Sequence, residues 1–342
     1  MPNKAEFDRE RREAPEAVAR QEAALVAPLR DLATRLVRDP PAVVVTCARG
    51  SSAHAATFAK HLIERHLAIP VAAAAPVVAT AYRRDLALAG QFFLAISQSG
   101  RSDDLIEAAL SAKRAGALTA ALVNDAESPL AAACDIVLPA GAGPERAVAA
   151  TKSFVVTLSA LLRLTAMWGR DGALRDALAR LPERIDKAGR LDWRGAVEAF
   201  VPARSLVAIG RGPTLAIARE AALKLKEVAN LHAEAFSGAE FLHGPVALVG
   251  RDYPLLMFVA DDETAAGLRR LAGDLRAKGA LLLCAGPGDD GAAALPVLPP
   301  DHPDADALCL IQSFYAMAPR LAAARGVDAD HPRHLQKVTR TR

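Results

Sequence analysis

The stretch Ala42-Val43-Val44-Val45-Thr46-Cys47-Ala48-Arg49-Gly50-Ser51-Ser52 is a short β-branched run that stops at a glycine and two serines. An Ala-rich pattern of helical period follows at once, through residue 64. A run this short and apolar, turning directly into a helix, predicts a strand at 42–47 that is buried on both faces. The same alternation recurs downstream. Strands are predicted at 69–73, 92–97, 118–123 and 135–138, with a helix at 103–115. Short apolar strands separated by helices make a parallel sheet covered on both sides.

The pattern then begins again. Gly210-Arg211-Gly212 lines up with Ala48-Arg49-Gly50, behind an apolar strand at 205–209 and ahead of an Ala-rich helix at 215–228. Further strands are expected at 254–260, 280–285 and 295–298. A duplicated α/β unit accounts for this economically, and 342 residues suit about two domains. The expected organisation is an N-terminal helical segment (1–40, with Pro15 at a helix start), a first α/β domain (41–180), a second (181–327) and a tail (328–342). A long helical stretch at 152–180 lies between the halves, and Pro182 and Pro202 bracket a linker. The tail is polar, without periodicity, and reads as a frayed end.

Composition narrows the function. At 52% hydrophobic and only 4% aromatic, the core must be built from Ala, Val and Leu, and a disordered state is excluded. A net charge of +3 gives no field suited to nucleic acid. The weakly polar stretch 68–82 is broken by Pro70 and Pro76 and falls short of the ~20 residues of a membrane span. The charged opening residues lack the apolar core of a signal peptide, so a cytoplasmic protein is expected. Cys47, Cys134, Cys284 and Cys309 are far apart and lack metal-ligand spacing; no metal is expected, and each cysteine reads as a small core hydrophobe.

Two loops carry chemistry. Gly50-Ser51-Ser52 opens a helix after a strand, so hydroxyls and backbone N–H groups face a would-be anion. Ser97-Gln98-Ser99-Gly100-Arg101-Ser102 repeats the arrangement on another strand. One Ser-rich turn can be no more than a helix cap. Two on strands of one sheet point to phosphate, at the strand ends where doubly wound sheets bind ligands. Neither a G-K-[ST] loop nor G-x-G-x-x-G is present, so the phosphate belongs to a small substrate rather than a nucleotide.

A third constellation lies in the second half. Glu220, Lys224 and Glu227 stand at i, i+4 and i+7 and share a helix face. That spacing suits a surface helix laced with ion pairs, and equally a carboxylate tuned as a general base. His243 follows in a Gly-Pro turn, where histidine is either polar surface or an acid/base group.

These motifs, taken in order with Val148-Ala149-Ala150-Thr151-Lys152, His232-Ala233-Glu234-Ala235, His243-Gly244-Pro245 and His331-Pro332-Arg333-His334-Leu335-Gln336-Lys337, resemble the sugar-isomerase (SIS) family of phosphosugar-binding proteins. The resemblance covers nearly the whole chain. Within the family it extends to the isomerase half of the glutamine–fructose-6-phosphate aminotransferases and, more closely in wording, to the stand-alone type II glucosamine-6-phosphate deaminases. It implies two tandem flavodoxin-like subdomains with the active site between them. It makes Gly50, Ser51, Ser52, Ser97, Gln98, Ser99 and Ser102 the phosphate cradle, with Val148 and Ala150 beside the sugar. Glu227 would be the base moving a proton between C1 and C2, with Lys224 and Glu220 setting its surroundings. His243 would assist ring opening from a neighbouring subunit of a homodimer, and Lys337 would form a Schiff base with the open-chain ketose. The tail would then be a lid.

Ala150 and Gln336 depart from the aminotransferases, which carry a serine and an alanine there, and this bears on the exact substrate. Pro2 replaces the glutaminase cysteine, and the first strand begins at residue 42, so glutamine-dependent synthesis is not expected. What remains is glucosamine 6-phosphate plus water giving fructose 6-phosphate plus ammonia, without cofactor. Deglycation of a fructosamine 6-phosphate is the alternative within enzymes. A non-catalytic phosphosugar sensor is the alternative outside them, though it would have little use for Glu227 together with Lys337.

Overall fold

The computed structural model describes residues 6–288 and 294–337. In chain order the first half holds α1 (Glu6–Arg12), α2 (Ala14–Arg38), β1 (Val44–Ala48), α3 (Gly50–Leu67), β2 (Val71–Ala73), α4 (Val77–Thr80), β3 (Phe92–Ser97), α5 (Asp103–Arg114), β4 (Leu118–Val123), α6 (Pro129–Ala133) and β5 (Ile136–Pro139). Then come α7 (Lys152–Trp168), α8 (Gly172–Ala188), α9 (Arg194–Phe200), β6 (Ser205–Gly210), α10 (Pro213–Ala229), β7 (His232–Ser237), α11 (Gly238–Phe241), a 3-10 turn (Pro245–Leu248), β8 (Pro254–Phe258), α12 (Ala265–Ala277), β9 (Leu281–Ala285), β10 (Ala294–Leu295) and α13 (Pro303–Ala324).

The strands form two five-stranded sheets, β2-β1-β3-β4-β5 and β10-β9-β8-β6-β7, parallel throughout. Read from the opposite edge, the second order repeats the first strand for strand, so the expected duplication is present in the topology. Every residue of β3 is buried, as a central strand covered by helices on both faces requires. Alanines let those helices come close: Ala95, Ala108, Ala109, Ala112 and Ala121 fill one core with Phe93, Leu105 and Leu130. Val207, Ile209, Leu255, Met257, Leu268 and Leu282 form the core around the second sheet.

The contacts divide the chain into two units. The first comprises Glu16–Glu145, Lys152–Ala179 and the described residues from Gln336 on; the second comprises the described residues up to Pro15, Arg146–Thr151 and Arg180–Leu335. In the first unit Trp168 meets Phe92 edge to face at 6.2 Å. In the second, Trp193 lies against Phe258. There, too, α1 packs on α13: Phe7 meets Tyr315 edge to face at 6.1 Å, and Asp330 accepts the N–H groups of Glu6 and Phe7 at 2.8 Å each, satisfying two otherwise orphaned donors of α1.

Several expectations are corrected. The helix expected over 152–180 is two helices, broken at Gly169 and Arg170, where Arg170 takes the left-handed conformation (φ 55°). Pro182 does not open a linker but lies inside α8, and α9 fills much of the remaining stretch before Pro202. β7 was not foreseen; its alternation His-Ala-Glu-Ala-Phe-Ser is that of a half-exposed edge strand, unlike its buried neighbours. The apolar stretch 68–82 is surpassed by α13, which is long and apolar enough to cross a membrane by composition, but 78% of its most apolar window is buried as a core helix. The tail expected to fray is ordered into contacts at Asp330 and Lys337. Residues 1–5 of the expected N-terminal segment and 338–342 of the expected lid lie outside the described residues.

Candidate functional site

In the first unit β1 and β3 are adjacent and in register, with Ala48 opposite Ile96, so the loops that follow them leave the sheet at one edge. β1 continues outward to β2 and β3 continues the other way to β4, which makes this crevice the point where strand order reverses. The candidate phosphate residues meet there. Gly50, at φ 53°, starts α3 after the extended residue Arg49 and places Ser51 and Ser52 in the first turn. N–H groups in that turn lack intrahelical acceptors and carry the positive end of the helix dipole.

The second loop is shaped by its own serines. Ser97 Oγ accepts the N–H of Gly100 at 3.1 Å, and Ser99 Oγ accepts that of Arg101 at 3.3 Å. Gly100 has φ 62°, and a Cβ there would fall 2.1 Å from Ser128 Oγ, so no other residue fits this turn. Ser102 stands at the N-cap of α5 without a side-chain capping bond, leaving its hydroxyl available. Gln98 is half-buried beside it. Sequence reading passed over the residue that ties the loops together: Arg49 donates through Nε (3.0 Å) and Nη2 (2.8 Å) to Oδ2 of Asp104, in the first turn of α5.

Lys337 belongs to the same unit. Its Nζ lies 3.4 Å from Oε2 of Glu145, whose carboxylate is fully buried and also accepts the N–H (3.0 Å) and hydroxyl (2.5 Å) of Ser153 at the start of α7. Glu145 carried no signal in the sequence, because its partners lie in the tail and on a helix.

In the second unit the helix-face spacing closes into one charged cluster. Lys224 Nζ lies 2.5 Å from Glu227 Oε2 and 3.2 Å from Glu220 Oε1, and the Tyr315 hydroxyl donates to Glu220 Oε1 at 3.1 Å. This is no surface ladder. The side chains of Glu220 and Lys224 are 0% and 1% exposed, whereas Glu227 retains 19%. Burial by itself would push the Lys224 ammonium toward its neutral form, but the two carboxylates outweigh it and raise the lysine above its ordinary value. The cluster therefore presents one accessible carboxylate backed by a buried ion pair.

Val148 and Ala150 lie half-buried in Arg146–Thr151, a segment of this unit anchored by the buried Glu10, which accepts the N–H groups of Arg146 and Ala147. His243 is exposed in the turn after α11 and lines a cavity of about 180 Å³ with Arg211, Leu242, Leu268 and Leu271. Its imidazole makes no hydrogen bond among the described residues. The four cysteines are all buried; burial pushes the thiols of Cys47, Cys134 and Cys309 up to about 12, which makes these three inert packing groups.

The family model of the SIS domain matches residues 42–167 and 199–285. Glutamine–fructose-6-phosphate aminotransferase of Thermotoga maritima is 32% identical over 311 residues, covering 86% of this chain and 50% of that protein. The chain thus spans about half the length of the curated relatives it matches. Among solved structures, a Silicibacter pomeroyi DSS-3 protein described provisionally as a phosphosugar isomerase superposes with a TM-score of 0.91 at 42% identity, over 95% of this chain and 100% of that one. The C-terminal domain of glucosamine–fructose-6-phosphate aminotransferase from Francisella tularensis gives 0.85 at 26% identity, over 97% and 99%.

Proposed function

The chain belongs to the SIS-domain family, and on that footing we propose that it isomerises and deaminates a phosphorylated amino sugar, taking glucosamine 6-phosphate and water to fructose 6-phosphate and ammonia. The observation that carries this reading is the Glu220–Lys224–Glu227 cluster, a buried ion pair with one accessible carboxylate. Two carboxylates around one fully buried lysine hold Glu227 in a fixed, partly desolvated setting, which is what a proton-transfer base needs.

The phosphate binds the serine hydroxyls and helix N-terminal N–H groups of the cradle. Glu227 removes the C2 proton of the open-chain aldehyde, leaving a C1–C2 enolamine, and returns it to C1. The product is a C2 imine, and water adds to that imine and expels ammonia, so atoms balance without an added cofactor. The Lys337 amine serves the same carbon by exchanging with ammonia to form its own imine before hydrolysis. His243 assists ring opening and works in the site of a neighbouring subunit of a homodimer.

Ammonia and free amino-acid release, measured over a panel of hexosamine 6-phosphates and amino-acid fructosamine 6-phosphates, tests the proposal. Release from glucosamine 6-phosphate, with fructose 6-phosphate formed in equal amount, is the expected result. Release of the bound amino acid from the fructosamine phosphates, with no ammonia from any hexosamine phosphate, would make the enzyme a deglycase. Tight binding without turnover of any compound would make it a sensor.

A further inference from the structure

The serine cradle is neutral, and its ligand is not. Ser51, Ser52, Ser97, Gln98, Ser99 and Ser102 offer hydroxyls, an amide and backbone N–H groups, whereas a phosphate monoester carries about −1.5 to −2 charges near pH 7. Arg101, the cation inside the second loop, is engaged through Nη2 with Asp125 Oδ2 at 2.9 Å. Arg49 differs in how it is held. Both of its bonds to protein end on one oxygen, Asp104 Oδ2, from Nε and Nη2. The Nη1 group makes no hydrogen bond among the described residues, and the side chain remains 51% exposed.

We infer that Arg49 is a further phosphate-binding residue of this site: Asp104 grips one edge of the guanidinium so that its free edge takes a phosphate oxygen. The inference rests on the reading of the cradle as a phosphate site. Arg49 immediately precedes Gly50, and Asp104 follows Ser102 by two residues, so the guanidinium bridges the two loops that supply the hydroxyls. Asp104 is 4% exposed in the first turn of α5, where the helix dipole favours an anion, and its Oδ1 has no partner among the described residues. The carboxylate therefore leans wholly on Arg49, and the planar fork is oriented before any ligand arrives. Lysine could carry the charge here, but not both the grip and the free edge.

Calorimetry of the full-length chain with inorganic phosphate, in parallel with turnover of glucosamine 6-phosphate, tests the inference. Arg49→Gln is expected to weaken phosphate binding about ten- to a hundredfold, the range for losing a charged hydrogen bond, and to raise KM similarly with kcat largely kept. Arg49→Lys should fall between that variant and wild type. Asp104→Asn separates contact from scaffolding. If Arg49 touches phosphate, Asp104→Asn, whose amide oxygen can still accept from the guanidinium, costs less affinity than Arg49→Gln; a loss as large as that of Arg49→Gln would overturn the inference and leave only a tie between loops. An Arg49→Gln protein that binds phosphate like wild type would overturn it too. Ser99→Ala serves as the reference: weakened binding there with normal binding in Arg49→Gln defeats the arginine alone, whereas normal binding in both defeats the phosphate cradle itself.

Discussion

Replacing Lys224 with Met removes the ammonium from the centre of the second unit's charged cluster while keeping an unbranched stem of similar volume. At an effective dielectric of about 20, a charge pair at the observed 3.2 and 2.5 Å has a gross attraction of about 5–7 kcal/mol. Desolvation of the buried lysine and of Glu220 offsets most of this in the intact protein. The variant keeps the desolvation of the carboxylates and loses the attraction, so a loss of about 3–5 kcal/mol is expected, as for other buried pairs deprived of one partner. The two tryptophans make the assay local, because Trp168 lies in the first unit and Trp193 in the second. In a Trp168→Phe background, urea unfolding followed by Trp193 fluorescence reports the second unit alone. Adding Glu220→Gln to Lys224→Met should recover part of the loss by removing the stranded charge. The pH dependence has a fixed sign: because the folded-state value of Lys224 is raised, its contribution is fully present below the ordinary 10.5 and is lost as pH climbs through the higher folded value. The difference between wild type and Lys224→Met should therefore hold steady across neutral pH and shrink only in strong alkali. A loss below about 1 kcal/mol, the level of an exposed pair, would refute the reasoning.

Glu227→Gln should lower turnover about 10²–10⁴-fold with phosphosugar affinity kept, and should stop exchange of the C2 proton with deuterated water; exchange at the wild-type rate would move the base elsewhere. For Glu145→Gln, reductive trapping of fructose 6-phosphate on Lys337 is expected to fall about tenfold while inorganic phosphate binds normally, since the change loosens the amine and spares the cradle. Unchanged trapping would remove Glu145 from the positioning of Lys337. Mixing inactive Glu227→Gln and His243→Ala chains should restore part of the activity through hybrid dimers; chains that exchange subunits freely yet stay inactive would show that the site is not shared.

What the sequence made legible was local. A buried strand announces itself as a short β-branched run, and a strand that ends in Gly-Ser-Ser before a helix announces its loop; β1, β3 and the cradle were therefore readable, as was the helix face of Glu220, Lys224 and Glu227. The burial of that face was not, because it depends on Tyr315 and the rest of α13, far along the chain. Arg49 and Asp104 are separated by 55 positions, Glu10 and Arg146 by 136, and Glu145 and Lys337 by 192; no spacing rule connects them. β7 was missed because an edge strand shows half the hydrophobicity of a central one. Pro182 misled because the tertiary packing of α8 overrides the ordinary helix-breaking preference of proline.

The bonds from Asp330 to the first turn of α1 set a schedule for synthesis on the ribosome. Phe7 emerges well before its hydrogen-bond partner, which lies 323 positions later. At ~5–20 residues per second, that interval is on the order of twenty to sixty seconds. Throughout it the first unit's sheet, complete by Pro139, can condense, while Phe7 has no Tyr315 to cover its ring. Ribosome-stalled chains that end before α13 are therefore expected to leave the Glu6 and Phe7 amides unprotected against hydrogen exchange. The growing chain thus carries an uncovered aromatic while the intervening residues are made, a segment on which a chaperone has time to act.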